Sequence, residues 1–267
     1  MDVNVLDTFK ANQRAGWAHF APLQSQTTEP ASHLVKWAGI QAGQRMLDCA
    51  CGTGVVAVTA SRRGAKVTGL DLTPELLVVA RENAQIAEVN IDFHEGDVEA
   101  LPFESNMFDV VVSQYGHMFA PRPDVAVAEM LRVLKPGGVI AFSTWPPELF
   151  VGRMFATVSR YSPAPPPGVA PPPLWGDPNV VRERLGDRVR ELRFHRETMR
   201  VPVLSPRHAR EMFEKTAGPV IKLVEMLSAT DPVKLNAFRA EVEALAAEYL
   251  EDNVMRQGYL MTRAVKN

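Results

Sequence analysis

Between residues 45 and 145, short apolar runs alternate with amphipathic stretches. Arg45-Met46-Leu47-Asp48 is an apolar run ending in an acid, and it feeds a glycine-rich turn, Cys51-Gly52-Thr53-Gly54. Val55 to Arg63 reads as an apolar helix stopped at Gly64, a natural C-terminal cap. Lys66 to Leu72 is a second strand carrying Asp71 near its end. Thr73-Pro74 then predicts a helix start, with a hydroxyl N-cap and proline at the first helical position. Leu76, Leu77, Ala80, Ala84 and Ala87 form that helix's apolar stripe. Ile91 to His94 and Phe108 to Ser113 read as strands three and four. Asp124 to Leu134 reads as a helix ended by Lys135-Pro136-Gly137-Gly138, and Val139 to Trp145 as strand five.

Val/Ile-rich runs separated by helices predict a parallel sheet covered on both faces. With right-handed crossovers it becomes a doubly wound, Rossmann-like sheet whose ligand sits beyond the carboxyl ends of the strands, where strand order reverses. That rule gathers Asp48 to Gly54, Asp71-Leu72, Asp97-Val98 and Ser113 to Met118 around one crevice. Later in the chain, Val189 to Val203 and Tyr259 to Val265 look like strands. Between them, 206–216, 218–228 and 232–250 look helical. The expectation is therefore an α/β fold: a seven-stranded, mostly parallel sheet closed by an antiparallel C-terminal hairpin and roofed by helices.

Proline changes the picture of the domain layout. Eight of the 21 prolines fall between Pro163 and Pro178, a density that neither helix nor sheet interior accommodates, so a surface loop is expected. The chain then divides into a helical cap segment at 1–40, a ligand-binding core at 41–145, a proline-rich cap loop and helix at 146–180, and late sheet strands at 181–267 with a helical insertion at 205–252.

With 267 residues the chain can bury a full-sized core, and 46% apolar with 22% charged residues is ordinary globular composition. A net charge of −2 lacks the basic excess of a nucleic-acid binder. The Arg run from 182 to 200 interleaves Glu183, Asp187, Glu191 and Glu197 and reads as a paired, solvated face. No apolar run is long enough to span a membrane, and Met1-Asp2-Val3-Asn4 does not resemble a leader, so a cytoplasmic protein is expected. Cys49 and Cys51 are too close for an unstrained disulfide and lack the partners of a zinc site; they read as small buried residues, and no metal is expected.

The small residues of Asp48 to Gly54, placed between strand and helix, let a ligand approach the backbone, and helix N–H groups point into the crevice. Asp71, 17 residues after Gly54, stands where an acid accepts hydrogen bonds from a ribose diol. Together these predict an adenine nucleoside. Gly52-Thr-Gly54-Val-Val-Ala57 also fits a nicotinamide-dinucleotide fingerprint, so an oxidoreductase is one alternative. That alternative has no use for Asp48 ahead of the turn or for Gly96-Asp97-Val98-Glu99 after strand three.

Those two features, with Leu101-Pro102-Phe103 and Leu134-Lys-Pro-Gly-Gly138, resemble the class I S-adenosylmethionine-dependent methyltransferases, nearest to the branch holding the quinone C-methyltransferases. The likeness covers roughly residues 30 to 145. It implies that S-adenosylmethionine is the cofactor and S-adenosylhomocysteine its product. Asp48, Cys49, Ala50, Gly52, Thr53 and Gly54 would hold the methionine part, Asp71 the ribose, and Leu72 the adenine. Asp97 would meet the adenine amino group, the Val98 backbone the ring edge, and Ser113 and Gln114 the methionine end. Ala50 departs from the family, which carries glycine there. A methylase-like binding module without catalysis is the second alternative.

Methyl transfer demands in-line approach more than acid–base help. Ser113-Gln-Tyr-Gly-His-Met118 follows strand four, nearest the expected methyl, which makes His117 a candidate general base and Tyr115 a candidate orienter. The segment lacks the Asn/Asp-Pro-Pro-Tyr signature of amino-group methylases of nucleic acids and proteins. Phe150, Met154, Phe155, Tyr161, Trp175, Met212, Phe213 and Met226 enrich the cap in soft apolar side chains. They are either plain core or the wall of a pocket for a small, hydrophobic or aromatic acceptor.

Overall fold

A computed structural model describes the backbone of residues 3–267 and side chains from residue 5 onward. The leader expectation at Met1 to Asn4 thus rests on residues whose side chains lie outside the described set. Strands β1 (Arg45–Cys49), β2 (Lys66–Asp71), β3 (Asp92–Glu95), β4 (Phe108–Gln114) and β5 (Leu134–Thr144) run parallel. Three more follow: β6 (Val189–Pro202), the stub β7 (Leu250–Glu251) and β8 (Val254–Lys266). The sheet order is β3-β2-β1-β4-β5-β8-β6, with β8 antiparallel to both its neighbours. The chain winds outward from β1 to β3, then returns to β4 on the other side of β1, so the order reverses between β1 and β4.

Helices α3 (Val55–Ser61), α4 (Pro74–Ile86) and α5 (Pro123–Val133) are the crossovers. Met46, Val56, Ala57, Leu77, Val110 and Val112 build one face's core. Leu47, Phe108, Val111, Met130 and Phe142 build the other. The central strands β1, β4 and β5 are buried on both faces because helices cover both.

The sheet extends beyond the expected boundaries at three places. Leu134 was expected as the last residue of a helix stopped by Lys135 to Gly138, yet it pairs with Phe108 and the ladder resumes at Val110–Val139 after an irregularity. The Pro-Gly-Gly segment is a bulge inside β5, with Gly137 at φ +75°. β8 begins at Val254 rather than Tyr259, because β6 offers it partners down to Pro202. The stub β7 makes the sheet eight-stranded; it turns back onto β8 through Asp252 and Asn253, both at positive φ, where these residue types are tolerated. β6 is a long edge strand, and its exposed arginines discourage edge-to-edge pairing.

Helices α1 (Val3–Trp17), α6 (Phe150–Tyr161), α8 (Pro206–Thr216), α9 (Gly218–Thr230) and α10 (Pro232–Tyr249) form the roof, while α2 (Gln24–Ala38) packs with α3 on the sheet face and α7 (Pro178–Leu185) on α5 and β6. Helices α1 and α9 cross where Gly16 meets Gly218, an approach so close that a Cβ on Gly218 would stand 2.7 Å from the Gly16 carbonyl carbon. The proline-rich stretch is not wholly a surface loop. Its short 3₁₀ turn, Pro172–Gly176, buries Trp175, and the Thr144 hydroxyl donates to the Trp175 carbonyl at 2.9 Å. Among the described residues, no helix is long and apolar enough to cross a membrane.

Candidate functional site

A cavity opens at the carboxyl ends of β1, β2 and β4, under α1, α2, α6 and α8. Its floor is the turn after β1. Ala50, Gly52 and Gly54 all adopt positive φ (54°, 54° and 76°), which folds the chain tightly back into α3. The Cys51 N–H donates to the Leu70 carbonyl and the Gly54 N–H to the Cys51 carbonyl, at 3.0 and 2.9 Å. A Cβ on Gly52 would meet nothing within 4 Å, so the backbone there faces open space.

Asp71 ties this turn to β2. One carboxylate oxygen accepts from the Gly52 N–H at 2.7 Å and the other from the Thr73 N–H at 2.8 Å. Burial raises its carboxyl, and the two amides pull it back down. Thr73 occupies the N-cap position of α4 with Pro74 after it, but its hydroxyl does not cap the helix; it faces Asp71 instead.

Asp48 is different. It is 1% exposed, it lines the cavity, and neither carboxylate oxygen has a hydrogen-bond partner. Burial pushes its carboxyl well above the usual range; the nearby Asp71 adds to this and the Ala57 amide opposes it. A buried, unpartnered carboxyl is costly, and a cationic ligand would relieve that cost. Lys10 is the single Lys or Arg among the described lining residues, and it is committed elsewhere. Its ammonium bridges Asp97 at 2.5 Å and Glu99 at 2.6 Å. Glu99 also accepts from the Arg122 backbone and guanidinium, and Asp97 from the Glu99 N–H.

Ala50, Gly52, Thr53, Leu72, Val98 and Gln114 reach the cavity together with Asp48, Asp71 and Asp97. Gln114 donates to the Thr27 carbonyl of α2 at 2.9 Å and leaves its Oε1 without a partner. The Thr53 hydroxyl is likewise buried and unpartnered. Three expected contacts are not among the lining residues. Cys49 is wholly buried in the core, a consequence of strand alternation beside inward-facing Asp48. Gly54 is the N-cap of α3, packed against Ala80 and Phe93. The Ser113 hydroxyl accepts from the His117 N–H at 3.1 Å, which fixes the turn after β4 rather than facing a ligand.

His117 is also not where a base is needed. The 3₁₀ turn His117–Phe119 directs its ring away from the cavity, between Phe142 at 4.6 Å and Trp175 at 4.7 Å. It is fully buried; burial, aided by the Arg184 charge, lowers its pKa to about 3. The ring stays neutral at working pH, inside the core. Tyr115 does line the cavity, at φ +60°, with its ring stacked on Trp145 at 4.0 Å. Its hydroxyl is buried without a partner, and burial raises the phenol well above its ordinary range.

Trp17, Phe119, Met154, Phe155, Met199 and Phe213 supply the apolar walls at the other end. Met154, Phe155 and Phe213 belong to the soft apolar set of the cap; Phe150 and Trp175 from that set are core. Sequence reasoning missed Lys10, Trp17 and Gln257. Gln257, on β8, is 2% exposed, lines the cavity and has an amide nitrogen without a partner.

Residues 47–142 match the family model described as a methyltransferase domain. An uncharacterized protein of Mycobacterium tuberculosis is 36% identical over 263 residues, covering 97% of this chain and 96% of the relative. A ubiquinone/menaquinone biosynthesis C-methyltransferase of Allorhizobium ampelinum is 46% identical over 110 residues, covering 38% of this chain and 43% of the relative. In structure, a Bacillus halodurans protein described as a methyltransferase superposes with a TM-score of 0.60 at 21% identity, over 88% of this chain and 98% of that one. These likenesses do not favour the oxidoreductase or the non-catalytic module. With the reversal of strand order between β1 and β4 and the acid-flanked glycine turn, they identify residues 47–142 as a methyltransferase domain on the Rossmann-like methyltransferase fold, and that domain resembles the ubiquinone/menaquinone C-methyltransferases.

Proposed function

We propose that this protein transfers a methyl group from S-adenosylmethionine to a small, predominantly apolar acceptor. The observation that carries the reading is the unpartnered, buried carboxyl of Asp48, which faces a cavity at the glycine turn. Asp48 would accept from the ammonium of the methionine part, helped by Gln114 Oε1. Asp71 holds two backbone amides and keeps lone pairs for the ribose hydroxyls. Leu72 and Val98 would pack on the adenine, and Asp97 would meet its amino edge. When bound, the cofactor supplies an electrophilic methyl on a sulfonium.

The chain's own task is then to hold the acceptor in line and keep water out. Tyr115, Trp145, Met154, Phe155 and Phe213 make an apolar chamber. Gln257 offers the acceptor one hydrogen-bonding group. Among the described residues at that end, no histidine, carboxylate or amine stands ready to take a proton. The reading therefore favours acceptors whose nucleophile has no proton to lose or is already ionised in water, such as an acidic phenol, an enolised carbon or a thiol of low pKa.

Calorimetric titration with S-adenosylmethionine, S-adenosylhomocysteine and NAD tests the cofactor half. Binding of the first two and not the third is expected, and the reverse would overturn it. Methyl transfer scored over phenols, enolisable ketones, thiols and amines tests the acceptor half. Turnover confined to hydrophilic amines would refute the apolar reading.

A further inference from the structure

Alternate residues of β8 form one buried stripe: Met255, Gln257, Tyr259 and Met261 are exposed by 0, 2, 0 and 2%. Two of the four are polar, and only one of those is satisfied. The Tyr259 hydroxyl pairs with His33 Nδ1 of α2 at 2.9 Å. The Gln257 amide nitrogen has no partner. Across the ladder Gln257 stands opposite Met199 of β6, another wall of the same cavity, which has no strong acceptor to give it. The strand is also clamped beside it: a Cβ on Gly258 would come 2.7 Å from Leu149 Cδ1. Other uncharged polar residues of this cavity have spent their donors on the protein. Gln13 donates to the Phe119 carbonyl at 2.9 Å, Gln26 to the Met212 sulfur at 3.0 Å, and Thr27 to the Gln24 carbonyl at 3.0 Å. The Tyr115 hydroxyl stands beside Gln114. A buried N–H left unpaired is costly, and the two methionines of the stripe show that an apolar side chain of this length fits the strand.

We infer that Gln257 is the specificity-determining residue of the acceptor chamber: its amide N–H binds a carbonyl or phenolate oxygen of the acceptor and so selects oxygen-bearing acceptors over thiols and amines. The inference rests on the methyltransferase reading above and narrows it. An amide N–H needs a lone pair, and an oxygen, above all a charged one, is the acceptor that rewards it most. Sulfur takes such a bond weakly, and a protonated amine has no lone pair to offer. The same bond has a second consequence. A donor aimed at an oxyanion favours the ionised form, so Gln257 helps keep a phenol or an enol deprotonated in a chamber without a base. Gln257 then acts on the acceptor's oxygen and takes no proton itself.

The test titrates acetophenone and 2-phenylpropene, one skeleton with C=O exchanged for C=CH₂, into the full-length protein saturated with S-adenosylhomocysteine. The quantity read is the ratio of their two dissociation constants. Gln257→Met keeps the side-chain length and removes the donor. It should move the ratio about tenfold against the ketone, with the hydrocarbon nearly unaffected. Gln257→Glu puts an acceptor where the N–H was; it should weaken acetophenone at least as much and admit benzylamine, which wild type rejects. A merely structural glutamine would instead move both ligands together and lower the Tm of Gln257→Met. Here that Tm should hold or rise, because an unpaired buried donor is removed. The Glu variant carries the test should the Met variant fold poorly. A ratio that stays within about twofold of wild type in the folded variants, or a wild type that does not bind acetophenone, overturns the inference. S-adenosylhomocysteine binding to wild type is read first: its failure would strike the methyltransferase reading, whereas its success with an unmoved ratio strikes this inference alone.

Discussion

A Cβ added to Gly116 would stand 2.5 Å from the Cβ of Ala50. The two residues share one volume between the turn after β1 and the turn after β4. Ala50 occupies the place where the family has glycine, and its φ of 54° is the left-handed backbone that costs an L-residue about 1–2 kcal/mol. The strain is retained, and Gly116 provides the space for the methyl.

Ala50→Gly should accordingly raise stability, by up to about 1 kcal/mol after the extra freedom of the unfolded glycine is subtracted. For a chain of this size that is a rise in Tm of about 2–4 °C. Gly116→Ala should destabilise by about 1–3 kcal/mol, the usual cost of overpacking. The double variant should recover only part, because the new Cβ would still lie 2.8 Å from the Ala50 carbonyl oxygen. Strict additivity in thermal unfolding would refute the shared volume.

Asp48 sets stability against ligand binding. A buried carboxyl whose pKa is raised keeps a proton that the unfolded chain releases, so its penalty appears above the unfolded carboxylate pKa of about 3.9 and grows until the folded group ionises. Asp48→Asn removes that penalty. Tm at neutral pH should rise while affinity for S-adenosylhomocysteine falls at least tenfold, an on-the-order-of 1.4 kcal/mol loss. Binding to wild type should also release a proton from Asp48. That release reads out as a calorimetric enthalpy that changes with the buffer's ionisation heat, and Asp48→Asn should abolish the dependence.

The crossover sheet is legible because its runs are apolar on both faces: Val110, Val111 and Val112 need no periodicity to be read as a buried strand. The positions of Asp48, Asp71 and Asp97 follow from spacing at strand ends. What spacing does not carry is direction within irregular turns. His117 falls four residues after Ser113, in the expected loop, yet a single 3₁₀ turn points it into the core. Partners far apart in sequence are equally hidden: Lys10 meets Asp97 across 87 positions, and no local signal in α1 announces it. The bulge in β5 escaped because Pro-Gly-Gly normally ends an element, whereas here Leu134 had already paired with Phe108.

Lys10 fastens α1 over the Asp97 end of the cavity. Its pair with Asp97 is partly open to solvent and its pair with the buried Glu99 is backed by Arg122, so the fastening adds little to overall stability. Lys10→Met should leave Tm within about 2 °C of wild type, given about 2–4 °C per kcal/mol at this size. It should speed hydrogen exchange in α1 and quicken S-adenosylhomocysteine dissociation. The buried Glu99 keeps Arg122, which limits the damage. Unchanged exchange in α1 would show that Trp17 packing, not the ion pair, holds the helix down.

His117 separates a core role from a catalytic one through pH. In the unfolded chain it takes up a proton near pH 6.5, while in the fold it resists protonation until about 3. The unfolded state thus binds more protons between those limits, and stability must fall as pH drops through that window, by at most about 1.4 kcal/mol per pH unit from this group. Above pH 6.5 the contribution is flat. His117→Phe, which keeps an aromatic ring between Phe142 and Trp175, should show a shallower decline in unfolding free energy between pH 6.5 and 5 than wild type. The difference between the two curves isolates His117 from the buried carboxyls, whose slopes have the opposite sign. Turnover on any acceptor found should keep the same pH profile in the variant, since the ring does not reach the cavity. A wild-type acidic limb near pH 6.5 that disappears in His117→Phe would restore His117 as a base and require the turn after β4 to rearrange when cofactor and acceptor bind.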